Sequence, residues 1–238
     1  MDRDEQIEQL ITKGVEQILP SVDFLKKELT SGKKLTIYCG FDPTAPTLHI
    51  GHAITLRKLR QFQDLGHKII FLIGDFTART GDPTDKSTVR KLLSEKDIKS
   101  NLKLYKKQAS SFINFKGRNK AEVKFNSKWL GKMKFDDVVN LASNMTVQQM
   151  IERDMFQKRL KEGKHIFLHE FMYPLMQGYD SVAMNIDVEI GGNDQTFNML
   201  MGRDLVSHIL KKDKSKFKNL GDIYNAYVSI LKYEGELK

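Results

Sequence analysis

Two nearly continuous apolar runs, separated by a segment with helical spacing, constrain the fold of this chain most strongly. Residues 35–41 (LTIYCGF) and 68–74 (KIIFLIG) have the composition of strands that are buried on both faces of a sheet. Between them, residues 51–65 repeat apolar positions at helical spacing, and Gly66 follows as a typical helix end. This order predicts two parallel strands joined by a crossover helix.

The rest of the chain extends this pattern into a larger α/β fold. A third strand is predicted at 186–190, before Gly191-Gly192, and a short strand at 123–125. The order of strands and helices predicts a Rossmann-like, doubly wound parallel sheet with a helical insertion at about residues 100–165. Further segments with helical spacing lie at 96–115, 135–142, 147–160, 169–183 and 194–210.

Three parts are expected along the chain. Residues 1–30 form an N-terminal helical segment, because the apolar positions between Ile7 and Leu29, Val15 and Ile18 among them, follow helical spacing. Residues 31–210 form a Rossmann-like domain, and residues 211–238 form a basic, atypical tail. The apolar positions of the tail have the spacing of an amphipathic helix that would cover the exposed end of the sheet: Ile223, Tyr227, Ile230 and Leu231.

Composition indicates a soluble, cytoplasmic protein with no membrane span. The 238 residues are 40% hydrophobic and 29% charged, and no run of 18 apolar residues occurs. The charged start MDRDEQIEQL lacks the apolar core of a secretory signal, and the single Cys39 fits a reducing compartment. The net charge of +9 favours a polyanionic partner such as nucleic acid, although the lysine excess can equally coat a solvated surface.

The turn that leaves the first strand carries the first candidate chemistry. In the string YCGFDPTAPTLHIGH, His49 and His52 share one face of a starting helix, whose free N–H groups favour phosphate. Gly51 has no side chain, so a base or sugar can approach the backbone closely. Two alternatives are a zinc site formed by the two histidines with Cys39, and histidines that only cap the turn. No metal site is expected.

Several strings in the same order resemble the bacterial tyrosyl-tRNA synthetases, a family of class I aminoacyl-tRNA synthetases. The resemblance covers roughly residues 30–206 and includes the His-Ile-Gly-His hallmark of the class. It implies that tyrosine attacks the α-phosphate of ATP and that the tyrosyl group then passes to tRNA(Tyr). The strings that carry it are YCGFDPTAPTLHIGH, GDPTDKSTVR, ERDMFQKRL, YPLMQGYD, GGNDQTFN and MGRDL.

The resemblance also assigns residues to ATP. It implies that Thr44 and His49 bind the leaving γ-phosphate in the transition state and that His52 is also catalytic. Lys86 and Arg90 would close over pyrophosphate from a mobile loop. Alone, Lys86 and Arg90 could be ordinary helix surface, and Asp42-Pro43 could simply start a turn. ATP is the implied substrate, accompanied by Mg²⁺. The residues expected to contact the nucleotide are Gly40, Asp42, His49, Gly51, His52, Thr55, Gly192 and Asp194.

A second set is implied for the amino acid. The positions of Tyr38 and Asp180 hydrogen-bond the phenolic hydroxyl of the substrate in the family, which argues against a tryptophan enzyme of the same class. Tyr173, Gln177 and Asp180 are spaced i, i+4 and i+7, so they share one helical face, which could otherwise be a solvated face. With Tyr173 and Gln177, Asp82 would hold the ammonium group. Gln195, Thr77 and Asn126 are weaker pocket candidates, and Asp194 could instead be an N-cap.

The sequence departs from the family after residue 210. The second hallmark, Lys-Met-Ser-Lys-Ser, is absent; the nearest match lies at 212–216 (KDKSK), which we interpret as basic surface rather than a displaced loop. No anticodon-binding helical domain is expected in residues 211–238. The expected function is therefore a tyrosine–tRNA ligase, impaired if the chain is truncated, and the alternative is a non-enzymatic remnant that binds tyrosine or ATP. A homodimer is expected through residues 100–165. The apolar side chains that would form its interface could equally belong to the internal core: Phe112, Ile113, Phe115, Trp129 and Phe135.

Overall fold

A twisted sheet organises the chain, as seen in a computed structural model that describes residues 1–82, 93–210 and 226–230. Within these ranges, six strands form one sheet in the order β1-β6-β5-β2-β3-β4. All neighbouring pairs are parallel except β1 with β6. The strands are β1 (Val15–Leu19), β2 (Thr36–Phe41), β3 (Lys68–Ile73), β4 (Glu122–Phe125), β5 (Val188–Gly192) and β6 (Ala226–Ile230).

Helices connect these strands and cover the sheet. The first group is α1 (Arg3–Thr12), α2 (Val22–Thr30), α3 (Ile50–Asp64), α4 (Thr77–Thr80), α5 (Glu95–Asn101) and α6 (Tyr105–Ala109). The second group is α7 (Ser127–Leu130), α8 (Phe135–Ala142), α9 (Val147–Ile151), α10 (Asp154–Lys161), α11 (Leu168–Met184) and α12 (Thr196–Leu205). Two short 3₁₀ turns, Leu102–Leu104 and Asn193–Gln195, and a π-helical turn, Val206–Leu210, complete the described helices.

Alternate residues of the central strands build two cores, one on each face of the sheet. Ile37 and Phe71 belong to the larger core, which also contains buried residues of α1, α2 and α3. Tyr38 and Ile70 face the smaller core together with Met184 at the end of α11. Helical cover on both faces explains why β2 and β3 read as continuous apolar runs, and the predicted doubly wound α/β fold is confirmed.

Two parts of the sequence interpretation are wrong. Val15 and Ile18 lie in strand β1, and residues 226–230 form strand β6 rather than a tail helix. Each strand gains a partner that spacing does not reveal, because β6 pairs with β5 on one side and with β1 on the other. The sheet therefore continues past the expected boundaries at residues 30 and 210.

The helical insertion is broken into shorter helices than its spacing suggests. The run predicted at 147–160 is divided into α9 and α10 around Glu152 and Arg153. Among the described residues, no helix is long and apolar enough to cross a membrane. The basic run at 212–216 lies outside the described residues.

Candidate functional site

A cavity of about 600 Å³ opens at the carboxyl ends of β2, β3 and β5. From β2 the chain continues to β3 on one side of the sheet, whereas β5 lies on the other side of β2. The strand order therefore reverses between β2 and β5. Such a switch point leaves a crevice where loops separate, and doubly wound proteins bind ligands there.

Every predicted site residue that the structure describes lines this one cavity. Their individual roles stay predictions, and Lys86 and Arg90 lie outside the described residues. The lining residues predicted for phosphate, nucleotide or tyrosine are Tyr38, Gly40, Asp42, Thr44, His49, Gly51, His52, Thr55, Asp82, Tyr173, Gln177, Asp180, Gly192, Asp194 and Gln195.

At the mouth of the cavity, two histidine rings stack at the start of α3. The ring centroids of His49 and His52 are 3.7 Å apart, and the backbone N–H of His49 donates to His52 Nδ1 at 3.2 Å. Burial, with a smaller contribution from the nearby His49, lowers the pKa of His52 to about 4. A neutral ring whose Nδ1 accepts carries its proton on Nε2, so His52 can donate from that atom.

Gly51 lies against the His49 ring, where a side chain would be crowded. A Cβ atom at Gly51 would lie 3.0 Å from His49 Cε1 and 3.1 Å from His49 Nδ1, closer than most real contacts. The missing side chain therefore makes room for the His49 ring. Close approach of an adenosine to Gly51 stays a prediction.

The zinc alternative has little chemical support. Cys39 is buried in the larger core, where burial raises the pKa of its thiol to about 12. Over the described part of the chain, no group of three or more His, Cys, Asp or Glu side chains could hold a metal ion.

The floor of the cavity presents a buried carboxyl group held by two donors. Asp180, 3% exposed, accepts hydrogen bonds from Trp129 Nε1 at 2.7 Å and from Asn126 Nδ2 at 3.2 Å. Burial raises the pKa of Asp180 well above its ordinary value, and the two donors act in the opposite direction by favouring the charged form. The two donors fix the orientation of the Asp180 carboxyl group, which lines the cavity.

Tyr38 lies beside this carboxyl group, at the centre of β2. Its hydroxyl is 2.9 Å from Ser181 Oγ, and its side chain is buried. Burial and then the nearby charges of Glu189 and Asp180 raise the pKa of Tyr38 well above its ordinary value. The hydroxyl therefore keeps its proton at neutral pH and is available for hydrogen bonding.

A second group of side chains joins α11 to the loop after β2. Tyr173 donates to Asp42 Oδ2 at 2.8 Å, and Thr77 donates to Asp42 Oδ1 at 2.7 Å. Asn126 Nδ2 in turn contacts Thr77 Oγ1 at 3.0 Å, which connects this group to Asp180. The tyrosine-pocket candidates thus belong to one continuous network with the nucleotide candidate Asp42.

Amide side chains connect the remaining carboxylates. Gln195 Nε2 donates to Asp82 Oδ2 at 2.7 Å and to Asp194 Oδ2 at 2.9 Å. Buried Asn198 donates to the side-chain oxygens of Gln177 and Gln195, at 3.0 and 2.9 Å. Gln177, Asp82 and Gln195 are therefore coupled through α12, although they come from three separate segments.

Several residues that build the site are absent from the sequence interpretation or have another role there. The sequence interpretation assigns Trp129 to core or interface, whereas in the structure it donates to Asp180. Glu189 is 2% exposed on β5, and a charged residue in the apolar run VEI is the signal that could have revealed it. Arg153 approaches Asp82, with Nη2 3.5 Å from Oδ1, and neither its spacing nor its neighbours in sequence indicate this.

The comparisons with known proteins agree with this geometry. The family profile described as class I tRNA synthetases (W and Y) matches residues 30–234. The chain is 52% identical over 200 residues to a protein named tyrosine–tRNA ligase from Carboxydothermus hydrogenoformans, covering 83% of this chain and 48% of that protein. A tyrosine–tRNA ligase from Xanthomonas campestris is 51% identical over 199 residues, covering 84% and 48%.

A solved structure shows the same fold. A C-terminally truncated mitochondrial tyrosyl-tRNA synthetase from Coccidioides posadasii superposes with a TM-score of 0.82 at 27% identity, covering 98% of this chain and 69% of that one. The chain spans about half the length of the curated relatives it matches. Because the family profile matches residues 30–234, the chain belongs to the class I tRNA synthetase family of the tryptophan and tyrosine enzymes.

Proposed function

We propose that the chain contributes the amino-acid and ATP-binding part of a tyrosine–tRNA ligase. The observation that carries this proposal is the buried Asp180, oriented by Trp129 and Asn126 next to the Tyr38 hydroxyl. A substrate phenol can donate a hydrogen bond to the buried Asp180 carboxyl group. A phenylalanine ring cannot, so it leaves buried polar groups without partners. Tyrosyl-tRNA synthetases are themselves the known example of such rejection, at about 10⁵-fold against phenylalanine, so that magnitude comes from the family and not from this structure.

In the proposed first step, a carboxylate oxygen of tyrosine forms a bond to the α-phosphorus of ATP. The bond between that phosphorus and the oxygen bridging to the β-phosphate breaks, and pyrophosphate leaves. The attacking carboxylate is already ionised at neutral pH, so no general base is needed. The protein must instead stabilise the charge that develops on the leaving phosphates. His49, Thr44 and the N-terminus of α3 would do this.

In the second step, a hydroxyl of the 3′-terminal ribose of tRNA(Tyr) would attack the tyrosyl carbonyl, and AMP would leave. Mg²⁺ would enter with ATP as part of the substrate, since it commonly binds through phosphate oxygens and water. We place the protein in the cytoplasm, in keeping with its single cysteine.

We further propose a homodimer built on the helical insertion. Of the apolar side chains considered for it, Ile113 is buried and Phe112 and Phe115 pack on the larger core, so these three are internal. Phe135 is 80% exposed, and its neighbour one turn on, Val139, is 51% exposed. Exposed apolar residues at this spacing form a helix face that a second copy would bury, and a monomeric mass in sedimentation would contradict the dimer.

Tyrosine-dependent exchange of labelled pyrophosphate into ATP tests the activation step. We expect exchange that requires tyrosine and is not supported by phenylalanine. Tyrosine binding without exchange would instead support the alternative, a non-enzymatic remnant of a synthetase. Failure to bind tyrosine at any concentration would contradict both.

A further inference from the structure

A buried carboxyl group beneath the floor of the cavity has no part in the function proposed above. Glu189 lies on β5 directly beside Tyr38 of β2 in the sheet register. Its Oε1 accepts from Gln177 Nε2 at 3.1 Å, and its Oε2 accepts from Ser181 Oγ at 3.1 Å. Ser181 Oγ is also 2.9 Å from the Tyr38 hydroxyl. A chain of hydrogen bonds therefore runs from Glu189 through Ser181 to Tyr38.

When Glu189 is ionised, the available protons fix the direction in which these hydrogen bonds are donated. A carboxylate only accepts, so Ser181 must give it the one proton of its hydroxyl. Ser181 can then only accept from Tyr38, so the Tyr38 proton is directed to Ser181 or to Glu189 itself. In this arrangement Tyr38 offers the cavity an oxygen acceptor and no donor, beside Asp180, which is also an acceptor.

Protonation of Glu189 permits the opposite direction. The carboxylic acid donates through Oε2 to Ser181, while Oε1 still accepts from Gln177. Ser181 then donates to Tyr38, and the Tyr38 proton is free to point into the cavity. A bound tyrosine could donate its phenolic proton to Asp180 and at the same time accept from Tyr38, so all the polar groups are paired.

We propose that Glu189 is a positioning residue whose protonation, relayed by Ser181, sets whether Tyr38 donates to the substrate phenol. The inference rests on the proposed tyrosine site. It predicts that tyrosine binding takes up one proton at Glu189. Tyrosine affinity should accordingly be highest where Glu189 is already protonated and should fall as the pH rises.

The surroundings of Glu189 are consistent with a change of protonation near neutrality. Burial, opposed by the donors Gln177, Tyr38 and Ser181, raises the pKa of Glu189 to about 7. The polar and titratable groups that face it are Tyr38 and Cys39 from β2, Gln177, Asp180 and Ser181 from α11, and Asn198 behind Gln177 from α12, while Tyr227 occupies the paired register position on β6.

Calorimetric binding of tyrosine between about pH 6 and pH 9 tests the proposal, with phenylalanine as the ligand that lacks the phenol. The tyrosine dissociation constant should rise about tenfold per pH unit above the pKa of free Glu189, with net proton uptake on binding. In Glu189→Gln, the amide can donate to Ser181 permanently, so binding should be tight and independent of pH over this range. Ser181→Ala should weaken the pH dependence, because it removes the relay and leaves only the direct interaction of Tyr38 with Glu189.

Each outcome separates this inference from the proposed function. An unchanged pH dependence in Glu189→Gln, or tyrosine affinity that is flat or rises with pH in the unaltered chain, would overturn the relay while leaving the tyrosine site intact. A loss of tyrosine binding in Glu189→Gln, with its thermal unfolding unchanged, would also overturn it. Absence of tyrosine binding by the unaltered chain at every pH would overturn the tyrosine site itself.

Discussion

The floor and the mouth of the cavity are built in different ways. Asp180 and Tyr38 on the floor are buried and held by side-chain hydrogen bonds from strands and helices on several sides. His49 and Thr44 at the mouth are exposed on the loop and first turn that follow β2. A preformed, buried site suits selection between similar ligands, since mispaired groups there find no water. An open mouth suits passage of the ATP and pyrophosphate that we propose for this site.

This contrast gives different expectations for mutations in the two regions. Changes at the mouth should slow the reaction with little effect on tyrosine affinity. Changes on the floor should weaken tyrosine binding or the fold itself.

The largest effect is expected at the mouth, for His49→Ala. Removing one preorganised donor to the leaving phosphates should reduce the rate of pyrophosphate exchange by about 10²–10³-fold, with tyrosine affinity nearly unchanged. The matched control is His208→Ala, an exposed histidine that does not line the cavity. An equal loss in tyrosine affinity would show that the two regions are not functionally separate.

A stability effect of intermediate size is expected at the cavity wall, for Gly74→Ala. The added Cβ would lie 1.8 Å from Asp42 Oδ1 and 2.4 Å from Thr77 Oγ1, so the Asp42–Thr77 hydrogen bond must break or the backbone must move. We expect the free energy of unfolding to fall by about 1–3 kcal/mol in denaturant titrations. Gly40→Ala is the control, because its Cβ would meet Leu72 at an ordinary 3.9 Å; an equal loss there would remove the steric explanation.

A smaller effect is expected for Trp129→Phe. The substitution removes the N–H donor 2.7 Å from Asp180 and keeps most of the ring, so tyrosine affinity should fall by about tenfold while ATP affinity is unchanged. Tyr179→Phe is a matched control, since Tyr179 packs in the same apolar cluster but does not line the cavity. Equal tyrosine affinities for the two variants would count against an orienting role for Trp129.

The sequence predicts the centre of this molecule better than its margins. The βαβ unit around α3, and the shared face of Tyr173, Gln177 and Asp180 on α11, follow from local periodicity, which the structure retains. Strands β1 and β6 could not be predicted in this way, because each is stabilised by pairing with a segment about 200 residues distant in the chain.

The same limit applies inside the site. Spacing along one helix brings Gln177 and Asp180 together, but the contact of Asp180 with Trp129 joins residues 51 positions apart. Glu189 and Ser181 form their contact between a strand and a helix, and the sequence interpretation assigns no role to either of them. Such supporting residues are set by tertiary packing, and only the unusual charge within a buried strand gives a local indication of one of them.

The central claim is that the floor of the cavity selects tyrosine through Asp180, and paired dissociation constants for tyrosine and phenylalanine test it most directly. In Asp180→Asn, tyrosine affinity should fall by about 10- to 100-fold, phenylalanine affinity should change little, and the exposed control Asp204→Asn should leave both unchanged. An equal loss for the two ligands in Asp180→Asn would contradict the claim.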